Sequence, residues 1–252
     1  PQPDWVEHRL DQIWDSVCTS IRRACKLASE QDDAFAPDKL VAIGITNQRE
    51  TLCAFDRKSG EALAPAIVWQ CKRSAKICEQ LKAQGVEPLL RNKTGLLCDP
   101  YFSATKLAWW MEHCPDVVRA FRDGKGIVGT VDTFLVHRLT AGIAHVTEPS
   151  NASRTLLYNI HTLDWDTELL ESFRVPSQDI LPQVLSSAGE FGRTKGLGFL
   201  PDGIPISGIL GDQQAALAGQ SCFTSGMGKC TYGTGAFMLC NIGSKPKVAG
   251  GG

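Results

Sequence analysis

A continuous apolar run from Leu40 to Ile45 constrains the fold more than any other segment of the 252-residue chain. The run is shorter than a typical helix, and polar residues follow it from Thr46 onward. Such a segment is typical of a strand that is buried on both faces, as in a parallel or mixed sheet covered by helices. The sequence therefore predicts a buried strand over residues 40–46.

Helical and strand patterns alternate along the chain, which indicates an α/β fold. The apolar residues from Leu10 to Ala28 recur at spacings of three and four, as in an amphipathic helix. Further helices are predicted over residues 73–83, 102–113, 133–139 and 213–219, with Asp132 as the cap of the third. Further strands are predicted over residues 51–55, 65–70, 126–131, 204–209, 228–232 and 236–241.

Composition excludes several classes of protein. A net charge of -1 provides no basic surface for nucleic acid. No apolar stretch approaches the roughly 20 residues of a transmembrane helix, and the first residues resemble neither a signal peptide nor a transit peptide. The ten cysteines include no Cys-x-x-Cys pair, so we expect no metal site and instead reduced, mostly buried thiols in a cytoplasmic protein.

The segment from Asn47 to Thr51 is the first candidate for a ligand-binding site. It follows the predicted strand, and ligands of open α/β sheets bind beyond the carboxyl ends of strands. Arg49 and Glu50 together offer hydrogen-bond donors and an acceptor, which suits a polyhydroxyl compound. The pattern alone nevertheless favours a solvated turn with a surface ion pair.

Asp212 is the second candidate, because it lies between a predicted strand and a predicted helix. A carboxylate there is either a general base or an ordinary helix cap, and the pattern does not separate the two.

The turn Gly233-Thr234-Gly235 is the third candidate. Its glycines allow the backbone to approach an anion such as phosphate, and a plain hairpin turn explains the same glycines. The aromatic residues Trp69, Tyr101 and Phe237 line a pocket in one interpretation and pack in the core in the other.

Taken in order, several segments resemble the glycerol kinases of the FGGY family of carbohydrate kinases. The resemblance extends from Trp5 to about Gly243. The segments that carry it are Trp5–His8, Ile45–Thr51, Ile67–Cys71, Asp99–Ser103, Gly129–Thr133, Asn151–Thr155, Asn159–Trp165, Gly211–Ala216 and Thr231–Gly235.

The resemblance implies an RNase-H-like domain of the actin-like ATPase fold, in which substrate and nucleotide meet in a cleft. It implies that the glycerol hydroxyls are held by Arg49, Glu50, Tyr101, Asp212 and Gln213. It also implies that Trp69 and Phe237 cover the carbon edge of glycerol, that Asp212 is the catalytic base, and that Thr234, with Gly233 and Gly235, contacts the nucleotide phosphates.

The implied activity is phosphorylation of glycerol to sn-glycerol 3-phosphate by ATP, with Mg²⁺ as cofactor. The resemblance also implies that the full-length protein can form a homo-oligomer. We expect residues 1–243 to form an N-terminal substrate-binding domain that lacks its first hairpin, and residues 244–252 to begin a linker or mark an arbitrary end. Without a C-terminal nucleotide-binding domain, we expect such a chain to be inactive alone. The alternatives are a sister kinase for another polyol or sugar, and a non-catalytic glycerol-binding module.

Overall fold

The computed structural model describes residues 3–233 and 235–247. The α-helices described there are α1 (Leu10–Gln31), α2 (Ala75–Ala83), α3 (Glu87–Thr94), α4 (Ser103–His113), α5 (Pro115–Arg122), α6 (Val131–Leu139), α7 (Pro149–Ala152), α8 (Thr167–Ser172) and α9 (Asp212–Gly219). Short 3-10 helices cover Pro37–Lys39 and Gln178–Ile180. None of the described helices is both long enough and apolar enough to cross a membrane.

The strands are β1 (Glu7–His8), β2 (Ile43–Asn47), β3 (Cys53–Asp56), β4 (Ala66–Ile67), β5 (Gly126–Gly129), β6 (Val146–Thr147), β7 (Tyr158–Asn159), β8 (Asp164–Trp165), β9 (Gln183–Val184), β10 (Ala188–Arg193), β11 (Pro205–Gly211), β12 (Gly228–Tyr232) and β13 (Ala236–Cys240). The predicted alternation of helices and strands is confirmed. All ten cysteines lie unpaired among the described residues, and six of them are buried.

The sheet that organises the molecule has the strand order β10-β11-β2. Strands β11 and β2 run parallel, whereas β10 is antiparallel to β11. One face of this sheet packs on helix α6, where Ile206 and Ile209 meet Val136 and Leu139 in a common core. Because β2 and β11 are parallel and in register, Asn47 lies opposite Gly211 and the two strands end together.

The prediction that the strand after Leu40 is buried on both faces is wrong. Strand β2 begins only at Ile43, and Val41 before it is 86% exposed. Ile43 and Ile45 pack against the core, whereas Gly44 and Thr46 between them are exposed. Side chains alternate between the two faces of a strand, and only one face of β2 is covered among the described residues. Among the described residues, β2 is also an edge strand of its sheet.

A second core lies between the antiparallel pair β3–β5 and helices α2, α4, α5 and α8. Its largest members include Trp110 of α4 and Phe121 of α5, each almost fully buried. Helix α4 is preceded by the loop Asp99–Phe102, so this core determines where that loop is held. The predicted helices over residues 73–83 and 102–113 are confirmed within two residues at each end.

The prediction that Asp132 caps a helix starting at Thr133 is wrong. Helix α6 begins at Val131, and Asp132 lies in its first turn with no exposed surface. Its carboxylate accepts hydrogen bonds from the hydroxyls of Thr130 and Thr147, the latter at 2.7 Å. Burial raises the pKa of Asp132 to about 6 against the effect of these hydrogen bonds. The carboxylate therefore belongs to a buried polar network and does not cap the helix.

Candidate active site

The common end of β2 and β11 brings together two segments that are far apart in the sequence. Arg49 follows β2 and Asp212 follows β11, and Arg49 Nε lies 3.2 Å from Asp212 Oδ1. The Arg49 side chain is only 6% exposed, whereas that of Asp212 is 45% exposed. The interpretation of the Asn47–Thr51 segment as a solvated turn with a surface ion pair is therefore wrong. Its arginine is buried and its partner is a carboxylate from another strand.

Glu50 occupies a strained and buried position beside Arg49. Its φ of 58° lies in the left-handed region, and the Thr51 amide donates to the Arg49 carbonyl at 2.6 Å across it. The hydroxyl of Ser103 fixes the turn by donating to the Glu50 carbonyl at 3.0 Å. Such strain persists only where the surroundings enforce it, and it concentrates at functional sites.

The Glu50 carboxylate pairs with Arg154, a residue to which the sequence analysis assigned no role. Arg154 Nε donates to Glu50 Oε1 at 2.6 Å, and the Glu50 side chain is 2% exposed. Burial raises the pKa of Glu50, an effect that the charges of Arg154 and Arg49 oppose. Arg154 lies in one of the segments that carry the family resemblance. No local pattern, however, indicates that its guanidinium pairs with a carboxylate 104 residues away.

Aromatic rings lie against this charged pair. The Trp69 and Tyr101 ring centroids are 5.4 Å apart, and the Arg154 guanidinium lies 5.7 Å from the Tyr101 centroid and 4.8 Å from the Phe102 centroid. Burial is the main cause that raises the pKa of Tyr101, with the charge of Glu50 adding to it. Two of the three predicted pocket aromatics are thus beside the candidate polar residues.

A buried lysine holds the loop that carries Tyr101. Lys106 Nζ donates to three successive carbonyls, those of Pro100 at 2.7 Å, Tyr101 at 2.6 Å and Phe102 at 3.1 Å. Burial lowers the pKa of Lys106 to about 8, although Glu50 nearby favours its charged form. The sequence analysis assigned this lysine no part in the site.

Asp212 does not behave as an ordinary helix cap. Helix α9 begins at Asp212 itself, and Asp212 Oδ1 accepts from the amide of the next residue, Gln213, at 2.8 Å. The Gln213 side chain donates to Asp212 Oδ2 at 3.1 Å. Both carboxylate oxygens are therefore oriented by neighbours, while almost half of the side chain is open to an incoming group.

A second buried lysine connects α9 to the β12–β13 hairpin. Lys229 Nζ donates to Gln213 Oε1 and, at 2.6 Å, to Thr231 Oγ1. The same ammonium lies 3.5 Å from the carbonyl oxygen of Phe237 on β13. The third predicted aromatic, Phe237, is thus connected to Gln213 only through its backbone carbonyl and Lys229, and among the described residues its ring does not pair with Trp69 or Tyr101.

The predicted phosphate-binding turn lies at the tip of this hairpin. The Gly233 amide donates to the Gly235 carbonyl at 3.1 Å, which closes the turn between β12 and β13. Thr234 lies outside the described residues. Across residues 3–233 and 235–247, no group of three or more His, Cys, Asp and Glu side chains could hold a metal ion.

Gly211 permits the close approach of Arg49 to β11. A Cβ atom at position 211 would lie 2.5 Å from Arg49 Cδ, and Arg49 is buried and tied to Asp212. We expect Gly211→Ala to displace Arg49 and to lower the free energy of unfolding by about 1–3 kcal/mol, as overpacking generally does. Urea denaturation provides the measurement. Gly208→Ala on the same strand is the control, because its Cβ would have no neighbour closer than 3.8 Å; equal effects of the two would contradict this packing argument.

The assembled site is thus two ion pairs, Arg49–Asp212 and Glu50–Arg154, against the rings of Trp69 and Tyr101. It offers fixed donors and acceptors beside an apolar wall, which suits a small compound with several hydroxyl groups.

Comparison with known sequences gives a consistent result. Residues 1–219 match the N-terminal domain of the FGGY family of carbohydrate kinases. A glycerol kinase of Bdellovibrio bacteriovorus is 52% identical over 245 residues, which are 97% of this chain and 48% of the relative. A glycerol kinase of Myxococcus xanthus is 52% identical over 246 residues, which are 98% of this chain and 48% of the relative. The chain spans about half the length of these curated relatives.

Comparison with solved structures agrees. The crystal structure of Plasmodium falciparum glycerol kinase with ADP superposes with a TM-score of 0.90 at 36% sequence identity, over 95% of this chain and 47% of that one. This match confirms the predicted fold class.

Proposed function

The chain belongs to the FGGY family of carbohydrate kinases, and from this premise we propose that it forms the substrate-binding part of an enzyme that phosphorylates glycerol with ATP. The observation that carries the proposal is the pairing of Arg49 with Asp212 and of Glu50 with Arg154 around Tyr101. Glycerol has three hydroxyl groups and little else, so its selective binding requires several fixed polar partners. The names of the relatives that are about 50% identical support glycerol over other polyols.

In this proposal Arg49, Glu50, Tyr101 and Gln213 hold the hydroxyl groups, with Trp69 and Phe237 along the carbon edge. Asp212 accepts the proton of the terminal hydroxyl as that oxygen bonds to the γ-phosphorus of ATP and the bond from this phosphorus to ADP breaks. The exposure of its carboxylate supports this role, because an incoming hydroxyl can reach it, and the contact with Arg49 keeps it oriented. A weak base suffices, because positioning and charge stabilisation do most of the work in phosphoryl transfer.

ATP supplies the transferred phosphoryl group, and Gly233, Thr234 and Gly235 are the residues that we propose to contact its phosphates. The hairpin backbone at Gly233 and Gly235 carries no side chain, which suits close approach of an anion. Mg²⁺ commonly binds through substrate phosphates and water with one or two carboxylates, so it needs no dedicated cluster of protein ligands. The unpaired cysteines support a cytoplasmic location for the enzyme.

Binding measurements test the proposal directly. We expect calorimetry to detect glycerol binding, and we expect 1,2-propanediol, which lacks one terminal hydroxyl, to bind about 10- to 100-fold more weakly, because an unpaired buried group costs about 1–3 kcal/mol. Glu50→Gln should weaken glycerol binding by a similar factor. Glu190→Gln is the control, since Glu190 pairs with Arg193 in an exposed position.

Two results would contradict the proposal: equal affinity for glycerol and 1,2-propanediol, or unchanged glycerol affinity in a folded Glu50→Gln variant. Preference for xylulose or gluconate over glycerol would favour the sister-kinase alternative.

A further inference from the structure

A fully buried carboxylate lies beneath the site, at the start of α7. Glu148 has no exposed surface, and each of its oxygens accepts several hydrogen bonds. Oε1 accepts from the Ser150 hydroxyl at 2.6 Å and from the amide and side chain of Asn151 at 2.8 and 2.9 Å. Oε2 accepts from the Ser150 amide at 2.9 Å and from the Ser187 hydroxyl at 2.7 Å. Such complete satisfaction is what makes a buried charge tolerable and rigid.

One of these donors reaches the candidate active site. The Ser150 hydroxyl has a single proton, which it gives to Glu148, so its oxygen is free to accept. The Gly211 amide donates to that oxygen at 2.8 Å. Gly211 is the last residue of β11 and directly precedes Asp212. Hydrogen bonds therefore run without interruption from Glu148 through Ser150 to the backbone that carries the proposed base.

The same carboxylate oxygen, Oε1, also connects to the end of β2 through the side chain of Asn151. The Asn151 and Asn47 side chains exchange two hydrogen bonds at 2.9 and 3.1 Å, and Asn47 Nδ2 lies 3.4 Å from Asp132 Oδ1. Asn47 precedes the segment of Arg49 and Glu50. Glu148 thus connects the ends of both parallel strands from below.

We propose that Ser150 is a positioning residue: its hydroxyl, held by Glu148, fixes the Gly211 amide and thereby the orientation of Asp212 toward Arg49. The consequence for glycerol rests on the proposed function of this site, whereas the consequence for the Arg49–Asp212 pair does not. The proposal deepens that function by assigning a role to a residue that does not itself contact the substrate.

Ser187 provides a matched control within the same network. Its hydroxyl also donates to the Glu148 carboxylate, but from the chain that precedes β10. Its connection to β11 is a backbone one, because the Ile209 amide donates to the Ser187 carbonyl at 3.0 Å, and alanine keeps that bond. Ser150→Ala and Ser187→Ala therefore each remove one hydroxyl from Glu148, and only the first also removes the acceptor of the Gly211 amide.

The test compares these two variants with Ser150→Thr, which retains the hydroxyl. We expect both alanine variants to lower the urea midpoint, and Ser150→Ala to lower it further, because it also leaves the buried Gly211 amide without its acceptor. We expect only Ser150→Ala to speed amide exchange at Gly211 and to shift the Arg49 Nε–H resonance in nuclear magnetic resonance spectra. Glycerol affinity should fall about fivefold in Ser150→Ala, the usual effect of weakening one hydrogen bond to a ligand. It should stay within about twofold in Ser187→Ala and recover in Ser150→Thr.

Unchanged Gly211 exchange and an unchanged Arg49 resonance in Ser150→Ala would overturn the positioning role. Equal effects of the two alanine variants on Arg49 and on glycerol would overturn it as well, because they would reflect general loss of stability. A parent chain that binds no glycerol would contradict the proposed function alone, and the two resonance measurements would still decide the role of Ser150.

Discussion

Asp212→Asn is expected to lower turnover by about 10²- to 10⁴-fold, the usual contribution of a general base. The amide keeps the shape of the carboxylate and an oxygen that can accept from Arg49, so glycerol affinity should change by less than about tenfold. What it loses is the ability to take the proton of the hydroxyl. The expected signature is therefore a loss in kcat with little change in glycerol binding.

Turnover is best measured in a chimera that carries this chain in place of the matching half of the Bdellovibrio bacteriovorus relative. Asp116→Asn is the matched control, because Asp116 also lies in the first turn of a helix and pairs with an arginine, Arg119, but at the surface. A kcat near that of the parent chimera in the Asp212→Asn variant would remove Asp212 from the role of base.

Arg154→Met is expected to lower the free energy of unfolding by about 3–5 kcal/mol near neutral pH, because it leaves the Glu50 carboxylate buried without its partner. Methionine retains apolar contact with Tyr101 and Phe102, so the loss reports on charge more than on packing. Arg174→Met is the control: Arg174 is 77% exposed and 3.9 Å from Glu112, and exposed pairs contribute at most about 1 kcal/mol.

The pH dependence of this variant gives a second criterion. Burial raises the pKa of Glu50 above its ordinary value of 4.5, so the folded chain holds a proton that the unfolded chain releases. The loss of stability caused by the buried Glu50 carboxylate is therefore absent below pH 4.5. It grows as the pH rises from there through the raised pKa of Glu50. Removing Arg154 takes away a charge that opposes this shift, which extends the pH range upward.

Urea unfolding at pH 5 and pH 8 should consequently show the larger loss at pH 8. The double variant with Glu50→Gln removes the unpaired charge and should recover most of the stability at that pH. A loss that is independent of pH, and that Glu50→Gln does not relieve, would show that the Glu50–Arg154 pair is not its cause.

Periodicity predicted most helices well, because the apolar spacing of three and four residues that marks a helix such as α1 lies within one continuous segment. It failed where residues distant in the sequence determine burial and hydrogen bonding. The burial of β2 depends on what covers its second face, and the position of Asp132 depends on the hydroxyls of Thr130 and Thr147. Neither condition is visible in the local pattern. The apolar run therefore predicts a strand buried on both faces, and the aspartate near a helix start predicts a cap, and both predictions are wrong.

The same distinction holds for the site. Arg49 and Asp212 could be singled out as candidates, because both follow strands and parallel strands end at one edge of a sheet. The pattern alone still favoured a solvated turn for Arg49 and left the role of Asp212 open. Arg154, Lys106 and Lys229 could not, because their contacts are to a carboxylate, three carbonyls and a glutamine that only the folded chain brings near. Local sequence identifies polar residues at strand ends more readily than the distant residues that hold them in place.

The left-handed backbone at Glu50 restricts which substitutions this position can accept. Glycine adopts that conformation without strain but has no carboxylate. Aspartate tolerates it better than glutamate and keeps the charge, but its side chain is one methylene shorter than the one that now reaches Arg154. Glutamine keeps the reach and loses the charge. No single replacement meets the demands of backbone, reach and charge together, so position 50 lacks the mutational freedom that loop positions ordinarily have.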